Sequence, residues 1–243
     1  RKAGYATAAA GKWQINDFRV MPDAMRRHGF DDWCLWTGYE TGNPASAERY
    51  WDPYTNTPGG SRTHEGKFGP DAYADYLIDF AKRHRDEPMF LYFPMCLTHS
   101  PLVHTPDEPD AKEPLDKHKA MVRYTDKLVG RLVDTLEELG IRKRTIVVFT
   151  TDNGSAGGIT GTRNGRKVRG GKGRKLESGV CAPFIVNAPG LVPAGVETDA
   201  LTDFTDLLPT FCELAGASLP MNTTLDGISI APLLLGKAED SPR

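Results

Sequence analysis

Long apolar runs are missing from this chain of 243 residues. Those present fall far short of the roughly 20 consecutive residues that a membrane-crossing helix needs, which excludes a helical bilayer span. Cysteine is scarce: four residues, at 34, 96, 181 and 212, with no pair at metal-site spacing. That is too few for a disulfide scaffold. In apolar contexts such as Val180-Cys181-Ala182 they read as small buried hydrophobes, and one or two disulfides stay open. Net charge is only −2, so no global field draws the chain to nucleic acid or to an anionic membrane. Repeats and low-complexity tracts are absent as well. A content of 39% hydrophobic and 26% charged residues is globular, with chain enough for one large domain.

The small net charge conceals a local excess. Residues 161–175 hold seven Lys or Arg and no acid, which leaves −9 on the rest of the chain. The termini are unusual too. Arg1 to Ala3 read as the closing turn of a helix before a Gly4 stop, and 237–243 trail off like a linker. The chain is therefore expected to be an internal piece of a longer protein.

Periodicity supplies the elements. A small-residue strand follows Gly4. Tyr73, Leu77, Phe80 and Ala81 give the apolar stripe of a helix over 71–84. Residues 89–94 form a short continuous apolar run, as in a strand covered on both faces. The longest helical pattern spans 116–139, with Met121, Leu128, Leu132 and Leu136 on one face and Gly140 as its stop. The β-branched run 145–150 predicts a central parallel strand, and 183–187 another. A helix over 203–215 should kink or split at Pro209. Residues 30–68, with three of the four Trp and no strong period, read as an irregular excursion over the surface. Alternating strands and helices predict an α/β three-layer sandwich with a largely parallel or mixed central sheet.

Four clusters could carry chemistry, three of them at or just beyond a predicted strand, where ligands sit in open α/β sheets, and the fourth in the cationic loop. Asp152-Asn153-Gly154 offers a carboxylate and an amide oxygen, hard ligands for Ca²⁺ or Mg²⁺, or else a turn whose side chains cap the backbone. His99, before Ser100-Pro101, is either a proton donor to a leaving group or a hydrogen-bonded loop histidine; His104 is a second candidate. Lys172, between Gly171 and Gly173, could meet an anion that the glycines let approach, or belong to a solvated basic loop. Lys12, in Gly11-Lys12-Trp13-Gln14, stands at a strand end. Of two glycosylation patterns, Asn222-Thr223-Thr224 is a better acceptor than Asn153-Gly154-Ser155.

Taken in order, these segments resemble the sulfatases of the alkaline-phosphatase superfamily. The carriers are Ala3-Gly4-Tyr5 through Gly11-Lys12-Trp13, His99-Ser100-Pro101, Asp152-Asn153-Gly154, and Gly171-Lys172-Gly173 followed by Glu177, Gly179 and Pro183. Asp206 to Thr210 and Leu225 to Ser229 add to them. The resemblance implies hydrolysis of sulfate esters by a formylglycine, made from Cys or Ser, beside a Ca²⁺. It implies that Lys12, His99 and Lys172 are catalytic and, with Gln14, bind the sulfate, and that Asp152 and Asn153 ligate the metal. Gln14 stands where many members have His, and a Gln cannot shuttle a proton near neutral pH. A Cys/Ser-x-Pro-x-Arg motif does not occur in the chain. The formylglycine and a first pair of metal-binding Asp are thus expected in a missing N-terminal part, and Ca²⁺ binding here should be weak or absent.

The chain is accordingly read as the central part of one sulfatase catalytic domain, 1–243, inactive alone. The reading requires Lys12, His99, Asp152, Asn153 and Lys172 to serve one tetrahedral oxyanion. Sulfated small molecules or glycans are the expected partners, with no nucleic acid. Periplasmic or secreted residence follows from the family. Two rivals are a phosphoester or phosphonate hydrolase of the same superfamily and a non-catalytic polyanion-binding protein using 161–175.

Overall fold

The computed structural model describes residues 1–221 and 223–243, so the expected acceptor Asn222 lies outside the described residues. The chain divides into two units, Arg1–Ile141 and Arg142–Arg243.

In the first unit the elements are β1 (Ala6–Lys12), α1 (Ala24–Arg27), β2 (Asp32–Trp36), β3 (Tyr54–Thr57), β4 (Gly60–Thr63), α2 (Gly69–Arg83), β5 (Met89–Tyr92) and α3 (Pro114–Glu138). Five strands form one sheet in the order β4-β3-β2-β1-β5. β1 runs parallel to both neighbours, in register from Ala8↔Asp32 to Lys12↔Trp36 and from Ala6↔Met89 to Ala9↔Tyr92. β3 and β4 complete it antiparallel.

The alternation of β1 divides the core. Ala8 and Ala10 face Cys34, Trp36, Tyr73, Leu77, Phe80 and Leu128. Ala9 faces Trp13, Phe18, Met25, Trp33 and Leu35. The three alanines are fully buried, and their small size lets α2 approach the sheet closely. Extra methylenes here would overpack the core at a cost of about 1–3 kcal/mol. α3 packs on α2 through Met121, Tyr124 and Leu128, and the Tyr124 hydroxyl donates to Asp71 at 2.7 Å. The stripe expected over 71–84 is the buried face of α2, and Gly140, at φ +69°, stops α3.

Several expectations are corrected. Residues 30–68 are not an irregular surface excursion; they supply β2, β3 and β4. Trp33 and Leu35 enter one apolar cluster while Cys34 and Trp36 enter the other, so burial of both faces erases the alternation that marks a strand. The turn between β2 and β3 is pinned by Glu40, 1% exposed. Its carboxylate accepts from Thr37, Tyr54 and Ser61 and pairs with Arg19 at 3.3 Å. β5 is covered unequally: Met89 and Leu91 are half-buried, whereas Phe90 and Tyr92 are more exposed and meet the Phe30 ring at 6.4 Å.

The second unit holds β6 (Val147–Thr150), β7 (Thr160–Arg163), β8 (Arg166–Arg169), α4 (Glu177–Val180), β9 (Phe184–Asn187), α5 (Leu207–Leu214) and α6 (Ala231–Leu234). β6, expected to be parallel, pairs antiparallel with β9 from Val147↔Asn187 to Thr150↔Phe184. Its β-branched residues favour a strand without fixing its direction. A 3-10 turn at Phe204–Asp206 precedes α5, so the expected split falls just before Pro209. That residue then lies in the first turn of α5, where its missing N–H costs no bond.

The tail is not a loose linker, because Arg243 folds back onto Asp206. Its guanidinium donates to both carboxylate oxygens at 2.8–3.0 Å, and Asp206 is fully buried. The Arg243 guanidinium holds the Asp206 carboxyl down at about 2. All four thiols are free. Cys34 and Cys96 are buried as expected, but Cys181 is exposed and Cys212 half-buried.

Candidate functional site

In the first unit the chemistry gathers where β1 and β5 end. Gly11 adopts φ +131°, and a Cβ on it would collide with the Pro94 carbonyl oxygen, so this crossing requires glycine. The Lys12 N–H donates to that carbonyl at 2.6 Å, and the Trp13 N–H to Trp36 O at 2.7 Å. Lys12 is thereby fixed beside the loop that leaves β5 and carries His99. Cys96, at the base of the loop, reports the local field. Burial pushes its thiol up to about 12, while the cations Arg49 and Lys12 pull the other way.

His99 has partners that its local sequence does not announce. The Arg49 Nη2 stands 3.1 Å from its Nδ1, and the Ser100 carbonyl oxygen 2.7 Å from the same atom. The two compete for one nitrogen: without a proton it accepts from Arg49, with one it donates to Ser100. Arg49 is always cationic and donates only. Its guanidinium lies over the rings of Trp36 (4.6 Å) and Tyr50 (5.2 Å), and its Nε is buried without a hydrogen-bond partner among the described residues. The Tyr50 hydroxyl sits within reach of the carbonyls of Cys96 (2.7 Å) and His99 (2.6 Å), and burial raises its pKa. Gly69 is equally tight, since a Cβ there would strike the Arg49 carbonyl.

The other expected residues of this unit have neighbours of their own. Gln14 is exposed and lays its amide on Gly38, whose missing Cβ would come within 2.6 Å of Nε2. His104 stacks on Trp51 at 5.1 Å, which is a packing role.

In the second unit Asp152 and Asn153 follow β6, and the structure joins them to Lys172. The Lys172 N–H donates to Ser155 O at 3.1 Å, Gly154 N–H to Gly179 O at 3.0 Å, and Gly171 N–H to Ser178 O at 3.2 Å. At Gly154, Gly171 and Gly179 any Cβ would meet backbone, so the two motifs are knitted main chain to main chain. Two hard oxygen donors suit Ca²⁺ in kind but not in number, since Ca²⁺ takes six to eight. No cluster of three or more His, Cys, Asp or Glu able to hold a metal occurs among the described residues.

A mixed sheet with parallel β2, β1 and β5, antiparallel β3 and β4, and packed helices is an α/β architecture, and solved structures of like fold make it alkaline-phosphatase-like. Within that class the chain belongs to the sulfatase family, whose sequence model, described as Sulfatase, matches residues 1–217. N-acetylgalactosamine-6-sulfatase of Canis lupus familiaris is 30% identical over 261 residues, covering 97% of this chain and 47% of its own length. Arylsulfatase A of Homo sapiens is 39% identical over 180 residues, 71% of this chain and 33% of its own. The crystal structure of Ps i-CgsB in complex with k-i-k-neocarrahexaose has the same fold, with a TM-score of 0.81 at 24% identity over 97% of this chain and 56% of that one. The chain spans about half the length of the N-acetylgalactosamine-6-sulfatases it matches. Among the described residues no helix is long and apolar enough to cross a membrane.

Proposed function

We propose that this chain is the central part of a sulfuric ester hydrolase domain, acting on a sulfated glycan or small sulfate ester in the periplasm or outside the cell. Breaking an S–O bond leaves an alkoxide that needs a proton, and builds charge on oxygens that need cations nearby. Lys12 and Lys172 supply the positive charge. His99, with Nδ1 accepting from Arg49, carries its proton on Nε2 and serves as donor to the leaving oxygen. Gln14 adds a neutral amide to sulfate binding. Asp152 and Asn153 contribute two oxygens to a Ca²⁺ whose remaining ligands come from outside this chain. A formylglycine, likewise from outside it, supplies the nucleophile.

The observation that carries the reading is the match of the sulfatase family model to residues 1–217, and the placement of the expected residues within each unit agrees with it. Lys12, His99 and Asp152-Asn153 stand at or just beyond the carboxyl ends of β1, β5 and β6, and Lys172 is bonded to the loop after β6. The test is turnover of an aryl sulfate against an aryl phosphate by the longer protein that joins this chain to a Cys/Ser-x-Pro-x-Arg segment. Sulfate should be preferred, and His99→Ala or Lys172→Ala should each lower kcat by about 100-fold or more. The 243-residue chain by itself should show no turnover. A preference for phosphate, or full activity in both variants, overturns the reading.

A further inference from the structure

The basic run 161–175 is a built β-hairpin. β7 and β8 join through Asn164-Gly165, with φ +51° and +77°, the pair that a two-residue turn of type I′ demands. The register sets Arg163 opposite Arg166, Thr162 opposite Lys167, and Thr160 opposite Arg169. One face therefore presents Arg163 and Arg166, and the other Lys167 and Arg169. All eight strand residues are exposed.

This arrangement works against the hairpin. Directly opposed like charges in an antiparallel pair stand about 4.5–5.5 Å apart at Cα and destabilise it. Compensation is slight: Arg163 pairs with Glu177 at 3.3 Å, both exposed, and Arg169 donates to Gly157 O. Among the described residues Arg166, Lys167, Lys172, Arg174 and Lys175 have no acidic partner. A short hairpin that concentrates unneutralised cations, on a chain whose remainder carries −9, gains most from an external polyanion.

We propose that this hairpin is a docking surface for the sulfated polysaccharide chain, separate from the site that holds the sulfate to be cleaved. The proposal rests on the sulfate-ester reading for its choice of polyanion. The hairpin's own composition supports that choice over nucleic acid, because residues 160–175 contain no aromatic side chain on which a base could stack. Val168 is the one large apolar residue of the two strands, too little to enter a lipid surface.

The test uses the 243-residue chain and heparin as the sulfated probe, titrated at 50 and 200 mM salt. The native chain should bind with an affinity that falls steeply with salt. The triple variant Arg163→Gln/Arg166→Gln/Lys167→Gln, its thermal midpoint matched to the native one, should bind about tenfold or more weakly and lose roughly two to three charges' worth of salt slope. Lys82→Gln, which removes an exposed cation of α2 outside the hairpin, should keep native binding. Unchanged binding in the triple variant, equal binding of uncharged dextran, or tighter binding of poly(U) than of heparin each overturns the proposal. If the longer protein proves to lack sulfatase turnover while heparin binding still depends on the hairpin, the enzymatic reading fails and the docking surface stands.

Discussion

Replacing Arg49 by Met should alter His99 far more than it alters stability. The losses are one charge-assisted hydrogen bond, about 1.5–3 kcal/mol, and cation–π contacts with Trp36 and Tyr50 at 4.6 and 5.2 Å, about 0.5–1 kcal/mol each. Against them, the buried and unpartnered Nε disappears, which recovers about 1–3 kcal/mol of desolvation cost, and the Met stem still fills the space. At the middle of these ranges the difference is about 2 kcal/mol, a modest shift of a denaturant midpoint. His99 Nδ1, however, loses its donor, and the Ser100 carbonyl at 2.7 Å becomes its natural partner. The proton should move from Nε2 to Nδ1. Imidazole ¹⁵N shifts read this directly: the protonated and bare nitrogens exchange places in the spectrum. An unchanged His99 tautomer in a folded Arg49→Met protein would refute the argument, as would a stability loss of several kcal/mol, which would make Arg49 a structural residue instead of a positioning one.

Two further outcomes follow from the geometry. Asp206, held at about 2 by Arg243, contributes stability that is complete above the ordinary carboxylate pKa near 4 and is lost as pH falls through 2. A carboxyl depressed from 3.8 to about 2 corresponds to roughly 2 kcal/mol, and the solvent-facing side of Arg243 screens it to about 1 kcal/mol. Arg243→Gln should lower the urea midpoint at pH 7 and flatten its decline between pH 4 and 2; an identical pH profile would show that the tail is not anchored. In thiol labelling at pH 8, exposed Cys181 should react at once. Cys34 and Cys96, with burial pushing their pKa values up to about 11 and 12, should react only on unfolding; fast labelling of all four would contradict the buried pair.

What the sequence made legible was whatever one element decides alone. The stripes of α2 and α3, the glycine stop at Gly140, the strand-end position of Lys12 and the loop positions of His99 and Asp152 are local facts, and periodicity or turn chemistry reads them. β2 was hidden because its two faces are both buried, so Trp33 to Trp36 show no alternation. The direction of β6 depends on its partner β9, which no propensity encodes. The hairpin did carry a signal, Asn164-Gly165, but its strands alternate charge with Thr, Gly and Val instead of apolar with polar. Arg49 and Arg243 lay beyond local reading altogether: each finds its partner, His99 or Asp206, dozens of positions away.

The glycine contacts at 154, 171 and 179 leave no slack between neighbouring loops. Lys172 N–H holds Ser155, and the hairpin base is tied by Gly170 N–H to Ile159 O and by Arg169 to Gly157 O. The stretch from Asp152 to Gly179 is thus tied to itself at several main-chain points. By whatever factor a dication at Asp152 and Asn153 changes a polyanion's hold on the hairpin, the polyanion changes the dication's, a reciprocity that thermodynamics imposes on two ligands of one protein.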